Sequence, residues 1–397
     1  MDSPTLVILP ALKVKKLSHD SIVLTQKFID GIREYQKYWP GNLIVLIEED
    51  PNLSNNLDNV AFNIQDLPFS IDVVDFDRIQ QHTAFQEASI VLASEGFRQN
   101  KVSKICNQFH IPCIYVTENS FKTRIQIINA ITQNPVLRLR KYGWQILQQR
   151  KLRKAIATAQ GIQCNGVPTY EAYRAINTKP LLYFDTRITE DILASEAEVI
   201  ARTSQCLALS PLRLLFSGRL IKIKGADHLI LVAQELKKLK VEFELFICGE
   251  GELQASMQAQ IQQGGLSHCV KLLGTLDFKR ELVPFVKKNI DLFLCCHRQG
   301  DPSCTYLETM SCGVPLVGYA NEALVGVVDQ SQAGWYQKMD RPDRLAQQIA
   351  LLNQSRQLIV DESFKSLEFA KLHTFEQTFA RRITHLKEVL LDAEVTL

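Results

Sequence analysis

The chain has 397 residues, of which 46% are hydrophobic and 22% charged, with a formal net charge of +2. That length suits two domains, and so small a net charge excludes general nucleic-acid binding and leaves any basic surface local. The ten cysteines form no CxxC pair, and Cys113, Cys248, Cys295 and Cys296 sit in apolar runs, the habit of reduced, buried thiols in a cytosolic protein. The opening MDSPTLVILP lacks the apolar length and basic leader of a signal peptide, and no run is long enough to cross a bilayer. A cytoplasmic location is therefore expected.

In chain order, strands are expected at Thr5 to Leu9, Leu43 to Ile47, Ser89 to Ala93, Cys113 to Val116, Gly161 to Cys164 and Leu181 to Phe184. Helical stretches lie between several of them, for example Ser21 to Gln36 and Lys101 to Phe109. Alternation of this kind implies a parallel sheet with helices on both faces. Asp185 to Pro211 reads as helical without strand patterning, and Ser210-Pro211 is the expected domain boundary.

A second alternating run begins at Leu214. Its strands are Leu214 to Ser217, Glu244 to Cys248, Val270 to Leu273, Asp291 to Cys296 and Pro315 to Tyr319. Its helices are Gly225 to Lys240, Glu252 to Gly264, Lys279 to Lys288 and Ser303 to Cys312. The tail from about Glu362 to Asp392 is helical. The fold class is α/β, with two Rossmann-like, doubly wound parallel-sheet domains facing a cleft and a C-terminal helical segment. The divisions are 1–210, 211–361 and 362–397, the last a segment that can pack back on the first domain.

The strand ends of the second domain carry the chemistry. Gly218 and Arg219 follow one strand, and Lys224 and Gly225 precede a helix. Glycine lets a ligand approach the backbone closely, and two fixed cations at one helix start suit a diphosphate without a metal. Gly249 and Gly251 repeat the plan, and Gly274 follows a third strand. After the fourth, Asp301-Pro302-Ser303 reads as a turn into a helix that carries Glu308 and stops at Gly313. A single glycine after a strand is usually only a turn. Four strand ends in order, the last leading to a carboxylate, describe a site for a group both anionic and polyhydroxylated, such as a nucleotide-sugar diphosphate.

These residues are similar to those of a known family. Gly218-Arg219-Leu220 with Lys224-Gly225, Gly249-Glu250-Gly251, Leu273-Gly274 and the run Glu308 to Pro315 resemble the donor-binding domain of family 4 (group 1) retaining glycosyltransferases of the GT-B fold. The likeness covers about the second half of the chain. It implies a glycosyltransferase that moves a hexosyl group from a nucleotide-diphosphate sugar, with UDP the expected nucleotide, to an acceptor hydroxyl with retention. No metal or cofactor is implied. Arg219 and Lys224 would hold the diphosphate, Glu308 the ribose hydroxyls, and backbone near Gly274 the base. Ser303 leads into the helix start, where the amides of Cys304 and Thr305 and the Thr305 hydroxyl would meet phosphate.

The family's pattern has a further glutamate eight residues before the second one, and that position here is Gly300. Asp301 either takes over the sugar contact or the sugar is held differently. The glycine-rich first loop of the family is also absent. In its place, Lys13, Lys15, Lys16 and His19 either form a solvated loop or face an acidic acceptor. A histidine common after the strand matching Cys113 to Val116 is replaced by Glu118, which either points into the cleft or caps a helix. His19 and Glu118 are the candidate catalytic groups of the first domain. A catalytically silent chain that binds a ligand or serves as a partner subunit is the alternative reading.

Asp75-Phe76-Asp77 fits the DxD pattern of metal-binding glycosyltransferases but lies far from the donor motifs and is expected to be a chance match. From Asn119 to Tyr170 there is no acidic residue, and basic residues interleave with Leu137, Leu139, Trp144, Ile146 and Leu147. Such a helix, spanning 134–157, either lies on an anionic membrane surface or packs its apolar side into the first domain.

Overall fold

A computed structural model describes residues 3–52, 59–208, 211–300 and 302–396. The first domain holds strands β1 (Leu6–Leu9), β2 (Lys13–Lys16), β3 (Ser21–Thr25), β4 (Leu43–Glu49), β5 (Asn59–Asn63), β6 (Ser70–Val73), β7 (Ile90–Ser94), β8 (Cys113–Thr117), β9 (Gly161–Asn165) and β10 (Pro180–Tyr183). They form one sheet in the order β10-β9-β8-β7-β1-β4-β2-β3-β5, with β6 also on β4. The strands from β10 to β4 run parallel, and β2, β3 and β5 close one side as antiparallel neighbours. Every residue of β1 is buried, as a central strand covered on both faces requires.

All six strands expected in this half are present. The stretch Ser21 to Gln36 needs correction. Ser21–Thr25 is strand, and the helix Gln26–Tyr38 begins only where Thr25 accepts from the Phe28 amide as its N-cap. The β-branched pair Ile22-Val23 favours the extended form, and β5 pairs with all five of these residues.

The second domain has β11 (Leu212–Ser217), β12 (Phe243–Cys248), β13 (Val270–Gly274), β14 (Leu292–Cys295), β15 (Leu316–Tyr319) and β16 (Gly334–Gln337). The sheet is parallel throughout, in the order β13-β12-β11-β14-β15-β16. The order reverses between β11 and β14, and that is where a doubly wound sheet opens a crevice at its carboxyl edge.

One helix before the expected boundary reaches the second domain, and the C-terminal helix returns to the first. Helix Glu196–Leu207 packs on the second domain, where Arg202 donates to the carbonyls of Cys312 and Gly313. The last helix, Phe375–Thr396, returns to the first domain, where Phe379, Ile383, Leu386 and Val389 share a core with β1 and helix Gln26–Tyr38.

Carboxyl edge meets carboxyl edge between the two domains. The Gly300 amide donates to Gln126, Lys122 pairs with Glu322 at 2.9 Å, and Gly166, after β9, packs on Pro302. Helix Pro135–Thr158 runs back from this side to feed β9. Its 24 residues span about 36 Å, while the five-residue strands beside it span about 17 Å. Its first half therefore overruns the carboxyl edge, and only Leu152, Ala155 and Ile156 of the whole helix are buried. Among the described residues, no helix is long and apolar enough to cross a membrane.

Candidate active site

Three adjacent strand ends of the second sheet are joined through their glycines. The Gly218 amide donates to the Cys248 carbonyl at 3.0 Å, and the Gly249 amide donates to the Gly274 carbonyl at 2.7 Å. A Cβ at Gly249 would lie 2.1 Å from the Gly218 carbonyl oxygen, so no larger residue fits there. Gly225, at a φ of +68°, is equally fixed: its Cβ would meet the Cys296 carbonyl oxygen at 1.8 Å. That close approach brings Lys224 beside β14. Lys224 is buried, whereas Arg219 is exposed at the mouth.

His297 follows β14 and is buried against the same lysine. Burial, and then the Lys224 charge, hold its pKa well below the usual histidine range, so it is neutral. Its Nδ1 faces the Tyr306 hydroxyl at 3.3 Å.

Ser303 precedes helix Cys304–Met310, with its hydroxyl 3.4 Å from that of Thr305. Glu308 is buried on this helix and accepts from Arg187 Nε at 2.7 Å. The Arg187 guanidinium lies 3.7 Å from the Phe278 ring centroid. No local signal marks Arg187, because the segment after β10 reads as helix. Asp301 lies outside the described residues. A Cβ at Gly300 would sit 3.2 Å from Glu322 Cβ, so Glu322 fills the space next to the position where the family carries a glutamate.

Across the cleft, Lys27 Nζ is 2.6 Å from Asp185 Oδ2 and 3.5 Å from Cys304 Sγ. Burial works to lower the Lys27 pKa, but Asp185 beside it raises it on balance. One first-domain ion pair therefore touches the first residue of the helix that carries Glu308. Both members were missed, although each had a signal. Thr25 is a helix cap that puts Lys27 in the first turn, and Asp185 directly follows a strand.

Glu118, after β8, opens onto the same cavity as Lys27 and Asp185. Desolvation raises its pKa, and Asp185 adds to the rise, while Lys27 and Arg382 oppose it. Glu95, after β7, holds the loop that carries Glu118 by accepting the amides of Glu118 and Asn119. Desolvation pushes its pKa up to about 7 against the pull of Arg124.

His19 is not brought to this cavity. The supposed loop is in fact the β2–β3 hairpin, with β2 held by β4. His19 sits in its exposed turn, 97% accessible, with Asp20 as its neighbour at 2.9 Å. Lys13 and Lys16 lie within 4.0 Å of Glu48 and Glu49, on the strand beside them. Asp75 and Asp77 are both tied by Arg98 at 2.6 Å, and Lys101 adds a contact to Asp77. Among the described residues, no group of His, Cys, Asp and Glu is arranged to hold a metal.

Residues 203–364 match the family model described as glycosyl transferases group 1. The whole chain superposes on HepE from Anabaena, solved in complex with UDP, with a TM-score of 0.65 at 14% identity, covering 97% of this chain and 99% of that one. It likewise superposes on a sucrose-phosphate synthase from Thermosynechococcus elongatus, with a TM-score of 0.63 at 14% identity, covering 98% and 100%. The fold is GT-B, and residues 203–364, most of them in the second domain, are similar to the group 1 glycosyl transferases. Among curated relatives, the amylovoran biosynthesis glycosyltransferase AmsK of Erwinia amylovora is 30% identical over 188 residues, 45% of this chain and 44% of its own length. The chain thus spans less than half of that relative. An uncharacterized glycosyltransferase of Methanocaldococcus jannaschii is 22% identical over 294 residues, 73% of this chain and 69% of that one.

Proposed function

We propose that the chain transfers a hexosyl group from a nucleotide-diphosphate sugar to an acceptor hydroxyl, with retention and without a metal. The observation that carries this reading is the alignment of Gly218, Gly249 and Gly274 along one carboxyl edge, with Arg219, Lys224 and Glu308 around the crevice. Arg219 and Lys224 hold the diphosphate, and Thr305 adds a hydroxyl. Glu308 accepts ribose hydroxyls, and backbone at Gly274 meets the base. UDP is the favoured nucleotide, since HepE was solved with UDP and with UDP-glucose.

In a front-face transfer, the C1–O bond to the diphosphate breaks as the acceptor oxygen bonds to C1 on the same face. The acceptor proton passes to the departing diphosphate, whose charge Arg219 and Lys224 stabilise. Glu118 steadies positive charge at the anomeric carbon, and Lys27 with Asp185 orients the acceptor hydroxyl. His19 is not needed as a base. NMR of the product from an α-linked donor tests the stereochemistry: an α-linked product is expected, and a β-linked product with activity abolished in Glu118→Ala would overturn retention.

This work is proposed to occur at an anionic membrane surface, with 134–157 as the peripheral contact. Its support is that Val136, Leu137, Leu139, Trp144, Ile146 and Leu147 are all exposed. A second reading, a silent ligand-binding or partner subunit, is favoured by Gly300 and by Glu118 standing where the family often has a histidine. Donor hydrolysis without acceptor separates the two, because only an active site releases free sugar.

A further inference from the structure

The first domain encloses a cavity of about 520 Å³ at its carboxyl edge, between helix Gln26–Tyr38, the ends of β1, β7, β8 and β10, and the last helix. Most of its wall is aliphatic or aromatic, including Leu12, Phe28, Ile32, Leu92, Val116 and Phe379. Leu12, Phe28 and Val116 are only half-buried, although they pack on the domain core. Their remaining apolar surface is what the cavity offers a ligand.

The polar residues have a different character. Lys27, Arg382, Glu118 and Asp185 bring two charges of each sign, so this part of the wall is neutral overall. Lys27 and Asp185 touch Cys304, which marks the end nearest the donor helix. Arg382 is held by Gln163 and lies 4.3 Å from the Tyr183 ring centroid. An anionic acceptor would meet Glu118 and Asp185, and a cationic one would meet Lys27 and Arg382. A neutral hydroxyl group can both donate to the carboxylates and accept from the cations.

We propose that the acceptor is an amphiphile: a neutral, hydroxyl-bearing head with an apolar chain or ring directly attached. The head lies against Lys27 and Asp185, and the apolar part fills the cavity along Leu12, Phe28 and Val116. The inference rests on the glycosyl-transfer reading above and narrows its acceptor. It also agrees with the placement of the exposed apolar helix beyond the same carboxyl edge, which would keep such a molecule within reach of the membrane that holds it.

The probe is a series of n-alkyl β-D-glucosides from methyl to decyl, each below its micelle concentration, titrated onto the full chain. Each added methylene should lower Kd about fourfold until the cavity is filled. Phe28→Ser and Leu12→Ser should each raise the Kd of the octyl compound at least tenfold and leave that of the methyl compound unchanged. Leu139→Ser, on the protruding helix, should leave the whole series unchanged. UDP affinity, measured on the same preparations, reports folding and tests the donor site separately. An absence of chain-length dependence, or a dependence that Phe28→Ser and Leu12→Ser leave intact while UDP still binds, would overturn the proposal. Loss of UDP binding in the wild-type chain would instead count against the donor reading.

Discussion

Arg187 Nε donates to Glu308 Oε1 at 2.7 Å, so the carboxylate proposed to bind the donor's ribose is already partnered from the segment that joins the domains. The partner is half-exposed and stacked on Phe278, so it can stay solvated if the pair is broken. Glu308→Ala should therefore fold normally. Loss of a charged hydrogen bond to ribose costs about 1.5–3 kcal/mol, which is tenfold or more in nucleotide-sugar affinity. Titration calorimetry with UDP checks this, and unchanged affinity in a folded mutant would remove Glu308 from the donor site.

The proposed metal independence rests on two cations of the second domain. Arg98 pairs with both Asp75 and Asp77, and in the proposed site Arg219 and Lys224 take the place of a metal beside the diphosphate. Turnover should persist in EDTA, and Asp75→Ala with Asp77→Ala should change kcat less than about twofold, as surface ion pairs contribute little. Complete loss in EDTA, restored by magnesium, would contradict this.

The layered plan was legible because hydrophobic runs and strand-end glycines are local signals. The strand-end loops of the second domain could be read for the same reason: Gly225 and Gly249 are dictated by atoms a few ångströms away, and both fall in short motifs. The pairings of Arg187 with Glu308 and of Lys27 with Asp185 were not legible. The partners lie 121 and 158 residues apart in sequence, and no local pattern marks a pairing made only when the domains meet. His19 misled because a lysine-rich segment after a strand reads as loop, whereas pairing of β2 with β4 and β3 makes it a hairpin.

The protruding helix gives a surface prediction. Seven basic residues and no acidic one lie in 135–158, beside exposed Leu139 and Trp144. Binding to vesicles with anionic lipid should be strong at low salt and fall steeply as salt shortens the Debye length from about 30 Å to about 8 Å. Trp144 emission should shift to the blue on binding. An absence of binding to anionic vesicles at low salt would leave this helix as a solvated face.

Glu95 gives a pH prediction. Its folded pKa, about 7, is above the ordinary value of 4.5, so its contribution to stability is fully present below about 4.5 and lost as pH rises through 7. Glu95→Gln keeps an acceptor for the amides of Glu118 and Asn119 and cannot ionise. The variant should gain on the wild type by up to about 3 kcal/mol between pH 4.5 and 8.5. Denaturant unfolding at the two pH values checks it, and a constant difference would show that Glu95 is not desolvated.

The central claim, a nucleotide-sugar site between Arg219, Lys224 and Glu308, is tested most directly by thermal melting with UDP-, GDP- and ADP-sugars. A ligand at 100 times its Kd stabilises the native state by about 2.7 kcal/mol, so a UDP-sugar should raise Tm by several degrees in the wild type and much less in Lys224→Ala. No shift with any of the three nucleotide classes, or an equal shift in Lys224→Ala and Glu308→Ala, would contradict the account.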